Sequence, residues 1–570
     1  MHRRSLLVAA ALLLPASVRA QSASFDWFSY TGSDSVYRTL HAGPGDYLNP
    51  ILAGFYPDPS IARAGDDYYL VTSSFAYFPG VPIFRSRDLV HWTQIGNVLD
   101  RPSQLDLDGA GISRGIFAPT IRYHAGTFYM ITTLVDRGGT FYVTAKDPAG
   151  PWSDPVWLRD LDGIDPSFFF DDDGASGANG ANGRVYVINN GPPIGPPLYQ
   201  GHRALWLQEL DLAAGKLVGP RRLIVNGGVD ISKKPIWIEA PHIFKVAGRY
   251  YLIAAEGGTG DQHSEVVFRS DSVWGPWQPY AGNPILTQRQ LDPARPFPIT
   301  STGHADFVRT PAGEWWAVFL GTRPYADDLY NTGRETFMLP VRWEGGWPVI
   351  LGDDRAVPYA HARPALPPQP PGPVAMSGNF TVRDDFAGRA LPPYWNVMRT
   401  PRGAPWYDLT SHPGWLTLRA RPEPLGGRGQ PSFAGRRQQH AIASASTAMA
   451  FAPAGPDDFA GLTAFQNETH YYALGVALAD GRSVIRLERH AGGTAGTPGD
   501  VVASAPLGLA PGAPVYLRID ARGGSYDFYY AERPGEWKLL KGGQDGTILS
   551  TKVAGGFVGT YFGLFACAGR

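Results

Sequence analysis

What most constrains this chain is a short motif that returns five times. Each copy opens on an acidic or small residue, usually followed by proline. An alternating strand, a tight turn and a second strand rich in Tyr, Val and Ile then follow. The copies begin at Asp58-Pro59-Ser60-Ile61, Ala118-Pro119-Thr120-Ile121, Asp165-Pro166-Ser167-Phe168, Glu239-Ala240-Pro241-His242 and Gly303-His304-Ala305-Asp306. Their second strands begin at Tyr68, Phe128, Val185, Tyr250 and Trp315. Further strand-like segments and aromatic closing elements follow, such as Phe84 to Trp92 and Val267 to Trp277. A unit of about four strands cannot bury both faces alone, so five such units predict a five-bladed β-propeller. Helical periodicity is absent from this half.

In a propeller the innermost strand of each blade lines the axis. If every copy opens on that strand, Asp58, Asp165 and Glu239 hold equivalent places in three blades and converge on one end of the channel. Glu239 stands out further, because it interrupts the apolar run Ile236-Trp237-Ile238 and Ala240-Pro241. Burying a carboxylate anion is costly, so such a group finds a partner or stays protonated. A carboxylic acid kept protonated near neutral pH is what general-acid catalysis needs.

Residues 364–373 carry six prolines and predict a stiff linker, assigned to residues 356–379. From residue 380 to 570 a second all-β region follows, with strand-like runs at Trp415–Leu418, Tyr472–Val476, Val484–Leu487, Val515–Ile519 and Tyr526–Tyr530. Their spacing predicts a jelly-roll β-sandwich. The propeller is expected over residues 45–355. Residues 1–20 read as a signal peptide, with Arg3-Arg4, an apolar run from Leu6 to Leu14 and Val18-Arg19-Ala20 before Gln21, so export is expected. No later stretch is long enough to span a bilayer. The 50 basic and 51 acidic residues nearly cancel, which gives no support to a nucleic-acid or membrane partner. Cys567 is the only cysteine, so no intramolecular disulfide forms and no thiolate metal site has a basis. Asp171–Gly174 lacks the distant Glu of a calcium loop and reads as a hairpin turn.

Three convergent carboxylates in an aromatic-rich protein suit glycosidic-bond hydrolysis. One carboxyl protonates the leaving oxygen, and another activates water or attacks the sugar. Glu239 is the candidate acid, Asp58 the candidate base, and Asp165 a neighbouring charge that raises the acid's pKa. Calcium binding is the main alternative for an acidic cluster.

The segments Phe55–Ser60, Gly163–Ser167 and Ile238–His242 resemble the three signature segments of glycoside hydrolase family 43. Phe78–Ile83, Gly115–Arg122 and Gly333–Thr336 resemble its β-xylosidase-like branch, and Ser432–His440 extends the likeness into the sandwich. The resemblance implies an inverting, exo-acting enzyme that releases xylose or arabinofuranose from plant cell-wall oligo- or polysaccharides. It implies Asp58 as base, Asp165 as modulator and orienter, and Glu239 as acid. Arg334 would contact substrate, and Phe78 and Phe117 would wall a sugar ring. No cofactor is implied as required; a structural Ca²⁺ held through water beside His304 is the one metal site suggested. In relatives the sandwich ends on a segment like Phe25-Asp26-Trp27-Phe28, which here lies near the N-terminus, within residues 21–44. Residues 23–30 are therefore expected to cross over and complete the C-terminal sandwich. An endo-arabinanase, an exo-galactanase and a non-catalytic carbohydrate-binding propeller remain alternatives, and oligomeric state is left open.

Overall fold

A computed structural model describes residues 21–172, 183–352 and 354–569, so the leader expected over residues 1–20 lies outside the described residues. The first blade comprises Ser60–Ala64, Asp67–Val71, Gly80–Ser86 and Thr93–Leu99. The second runs from Ile116–His124 to Val156–Trp157, and the third from Ile164–Asp171 to Lys216–Asn226. The fourth starts at Glu239–Val246, and the fifth runs from Thr300–Arg309 to Trp347–Val349. Strands within each blade are antiparallel neighbours in chain order, and the first strands of successive blades pack on one another around the axis. Each of the five repeats is therefore one blade, with its opening motif on the innermost strand.

The innermost strands share an irregularity that sets up the site. In blades two to five, two residues face one on the neighbouring strand: Ala118-Pro119, Asp165-Pro166, Ala240-Pro241 and His304-Ala305. Asp58-Pro59 holds the matching place in blade one, just before the strand and opposite Thr72, where the Ser73 amide bonds the Pro57 carbonyl. Such a bulge tolerates proline and re-aims the side chain at its first residue. Asp58, Asp165, Ala240 and His304 all take left-handed φ values of 50–56° there. This corrects the expected equivalence of the three acids. Asp58 and Asp165 are equivalent, but Glu239 stands one residue before the bulge of blade four, in register with Ile164 and Gly303. A glutamate has one more methylene with which to reach the same space.

Two residues after each bulge opens comes a polar side chain: Ser60, Thr120, Ser167, His242 and Asp306. All five are buried. Arg122 plugs the channel between them. It meets Asp306 at 2.7 Å and His242 at 2.9 Å, while Ser60 donates to Asp306 at 2.6 Å and Ser167 lies 2.9 Å from His242. The plug closes the tunnel beneath the acids, so they line a pocket.

The sandwich consists of two eight-stranded antiparallel sheets. The N-terminal strand Ser22–Gly32 lies inside one of them, paired with Thr381–Asp384, Leu416–Arg419 and Ile442–Ala450. Phe25, Phe28 and Tyr30 are buried in the sandwich core, with an irregularity between Phe25 and Trp27 keeping them on one face. From Ser22 onward the chain thus passes through the second domain, builds the first, and returns. The proline-rich return is docked along the protein: Ala360–Ala362 pairs with Asp46–Leu48, and the Met376 carbonyl accepts from Ala53 at 2.8 Å. At the junction, buried Arg323 meets Glu335 at 2.6 Å and Asp34 at 2.7 Å, and donates to the Gln439 carbonyl. Cys567 is buried in the final strand. Asp171 accepts from Lys245 at 3.0 Å and Tyr250 at 2.6 Å; the turn beyond Asp172 lies outside the described residues.

Candidate active site

Above the plug is a cavity of about 400 Å³, a size that suits a small ligand. Asp58, Asp165, Glu239, His304, Arg334 and Phe117 all line it. The three acids are nearly buried, and Glu239 is only 8% exposed. Their surroundings differ sharply.

Asp58 is held as an anion. Arg334 donates to it at 2.6 Å, the Ser73 hydroxyl donates at 2.6 Å, and His304 Nδ1 lies 3.8 Å away. Burial alone would push its carboxyl up, but Arg334, His304 and Ser73 outweigh that and leave it below the usual carboxylate range. Arg334 therefore braces an acid as well as facing the cavity.

Burial pushes Glu239 well above the usual range, and the charges of Asp165 and Asp58 add to that. Arg334 and Arg203 act in the opposite direction without reversing it. Asp165 is pushed up to about 7, by burial first and by Asp58 second. Asp165 is the charge that, after burial, does most to raise Glu239. Asp165 also accepts from the backbone amide of Ala240 at 3.2 Å, which ties it to the bulge beside Glu239.

Phe117 is half-buried and faces the cavity, as expected. Phe78 does not. It is 7% exposed, lies in the strand Tyr77–Phe78, and pairs with Val397 at the edge of a sandwich sheet. That short strand leaves blade one to join the second domain and carries Phe78 into the core with it. The pocket's other aromatic walls are Phe75 and, from the sandwich, Phe557. The rings of Phe75, Phe117 and Phe557 form one cluster, with centroids 5.1, 5.7 and 6.1 Å apart. The Phe557 amide bonds the Ser113 hydroxyl at 3.1 Å, which fixes this sandwich loop over the mouth of blade two. Trp237 and Arg114 complete the rim. Trp237 was visible beside Glu239 in the sequence, whereas Phe557 follows it by more than half the chain and no local pattern marks it.

The side chains around His304 do not offer direct calcium ligation, which takes six to eight oxygen ligands, so a calcium there would draw its oxygens mainly from water. His304 offers nitrogen, and the carboxylate beside it already bonds Arg334 and Ser73. Among the described residues no group of three or more His, Cys, Asp or Glu side chains is placed to hold a metal ion.

A pocket whose surroundings favour one carboxyl ionised and another protonated, at the axis of a five-bladed propeller, suits glycoside hydrolysis. The protein belongs to glycosyl hydrolase family 43: that family's model matches residues 47–348, and the β-xylosidase C-terminal concanavalin A-like domain matches residues 383–570. It is 42% identical over 528 residues to a xylosidase/arabinosidase of Butyrivibrio fibrisolvens, covering 91% of this chain and 95% of that one. It is 38% identical to a non-reducing end α-L-arabinofuranosidase of Bacteroides ovatus, covering 91% of each. The crystal structure of a GH43_12 protein retrieved from a capybara gut metagenome superposes with a TM-score of 0.86 at 41% identity, covering 96% of this chain and all of that one.

Proposed function

We propose that this enzyme releases single xylose or arabinofuranose residues from the non-reducing ends of plant cell-wall oligo- and polysaccharides, with inversion at the anomeric carbon. The observation that carries the reading is the opposed electrostatics of Asp58 and Glu239 within one small cavity. Asp58 takes a proton from a water whose oxygen bonds the anomeric carbon as the glycosidic C–O bond breaks. Glu239 gives its proton to the departing oxygen, and solvent exchange restores both groups. Asp165 holds the backbone beside Glu239 and helps keep that acid protonated. Phe75, Phe117 and Phe557 offer apolar faces to the sugar ring. Support for exo action comes from the Arg122 plug below and Phe557 at the side, which leave a pocket where endo action needs an open groove.

The test is hydrolysis of nitrophenyl β-xyloside and α-L-arabinofuranoside by the purified protein, with the released anomer followed by NMR. Product of inverted configuration is expected, and on xylobiose, whose leaving oxygen needs the proton, Glu239→Gln should lose most of the activity. Retained configuration, or a Glu239→Gln variant as active as the parent on xylobiose, overturns the assignment.

A further inference from the structure

Trp237 lines the pocket and has no part in the proposed mechanism. It is 38% exposed, unlike the acids beside it, and it lines the same cavity. It also stands two residues before Glu239, on the segment that delivers the acid. Its backbone takes a left-handed φ of 52°, a conformation that a bulky residue adopts only when its surroundings enforce it.

Those surroundings are specific. The Trp237 amide donates to the Gly201 carbonyl at 2.9 Å, and the Ile236 carbonyl accepts from Gly257 at 2.8 Å, so loops on both sides clamp the segment. Gly201 has φ 82°, and a Cβ there would meet Ile236 at 2.8 Å, so its loop lies close against the segment. The guanidinium of Arg203 sits over the indole, 4.8 Å from its centre, and fixes one face by a cation–π contact. Arg203 is anchored in turn. It donates twice to the Asn190 side-chain oxygen, at 2.8 and 3.0 Å, while the Asn190 amide group donates to the Ile238 carbonyl at 2.5 Å. A single network thus joins the Trp237 ring to the backbone between it and Glu239.

A ring held rigidly while part of its surface stays open is arranged for a ligand. The general acid must lie against the departing oxygen, so the sugar attached to that oxygen leaves on the Glu239 side. We infer that Trp237, backed by Arg203 and Asn190, is the stacking platform for the leaving-group sugar. The indole meets the apolar C–H face of a pyranose, and it favours glycan leaving groups over small alcohols. This inference rests on the proposed hydrolase mechanism, because it takes Glu239 as the acid.

The experiment compares kcat/KM for xylobiose with that for methyl β-D-xyloside, with the corresponding arabinofuranosides in parallel, in the parent and in Trp237→Ala and Trp237→Phe. Both xylosides require protonation of an alkoxide-like oxygen, but only xylobiose presents a second ring. Trp237→Ala is expected to lose about tenfold more on the disaccharide than on the methyl glycoside, and Trp237→Phe to recover most of the difference. The alkaline limb of the pH profile should stay in place, showing Glu239 undisturbed. Equal losses on both substrates, or a shifted alkaline limb that accounts for the loss, overturn the platform. A parent that cleaves no glycoside of either sugar overturns the hydrolase reading, and the platform with it.

Discussion

Blades one and four present similar backbone bulges to the same cavity, yet one carries a carboxyl held as an anion and the other a carboxyl held as an acid. Both side chains are buried, so burial is not what separates them. The difference lies in what arrives from elsewhere. Asp58 is met by Arg334 from the fifth blade's side of the ring, by the Ser73 hydroxyl and by His304. Glu239 faces Asp165, and beyond it Asp58. The repeat therefore supplies positions, and the different partners that each position meets decide protonation. This division lets one propeller motif yield both an acid and a base.

The harshest way to break the comparison is to remove either carboxyl's charge chemistry. Glu239→Gln and Asp58→Asn should each lower kcat/KM on an unactivated disaccharide by about 10²–10⁴-fold. A substrate with a good leaving group should recover much of the rate in Glu239→Gln and none in Asp58→Asn. Steady-state kinetics on xylobiose and nitrophenyl xyloside distinguish the two. Equal rescue in both variants would mean that the roles are wrongly divided.

Arg334→Met removes the chief partner of Asp58 and should cost roughly 10²-fold at neutral pH, as expected when one partner of a buried charge pair is removed. The sign follows from the pair. The base must be ionised, and Arg334 is the chief influence holding its pKa down against burial. Without Arg334 that pKa rises, so the acidic limb of kcat/KM against pH moves to higher pH; Arg334 also lowers Glu239, so the alkaline limb moves up as well. An unmoved acidic limb would mean that Arg334 contributes only to binding.

Asp165→Asn tests the other side. It removes the charge that, after burial, does most to raise Glu239. The acid's pKa should fall, and the alkaline limb should move to lower pH. The weakened hydrogen bond from the Ala240 amide should cost about tenfold in kcat, since a hydrogen bond to a charged group contributes about 1.5–3 kcal/mol.

These contrasts also show what the sequence could disclose. The five blades were legible because strand, turn and strand recur within short spans, and local patterns carry that information. Asp58, Asp165 and Glu239 were legible for the same reason, although their apparent equivalence hid a one-residue offset. Proline follows Asp58 and Asp165 directly but follows Glu239 only after Ala240, and that spacing was the available sign. The likeness of residues 25–28 to a sandwich terminus pointed to their crossover, and the strand Ser22–Gly32 lies within the sandwich. Residues brought in from outside their own repeat were not legible. Phe557 reaches the pocket from a sandwich loop, and Phe78 leaves it because two residues of blade one extend a sandwich sheet. Both follow from how the two domains dock, which no local pattern encodes.

The smallest effect on activity separates those two phenylalanines. Phe557→Ala removes one ring of the aromatic cluster around the sugar site, and aromatic pairs of this kind contribute about 0.5–1.5 kcal/mol beyond area burial. KM should therefore rise roughly threefold to tenfold, with thermal stability little changed, because the ring is only half-buried at a loop. Phe78→Ala should do the reverse. Its ring is packed in the core where blade one meets the sandwich, and truncating a buried Phe to Ala costs about 3–5 kcal/mol. The melting temperature should drop by several degrees, while the folded fraction keeps the parent's KM. Paired thermal melts and kinetics on the two variants decide the matter. If Phe78→Ala raised KM as much as Phe557→Ala, the wall of the sugar site would extend past the pocket into the domain junction, and the sandwich would shape the site through more than one loop.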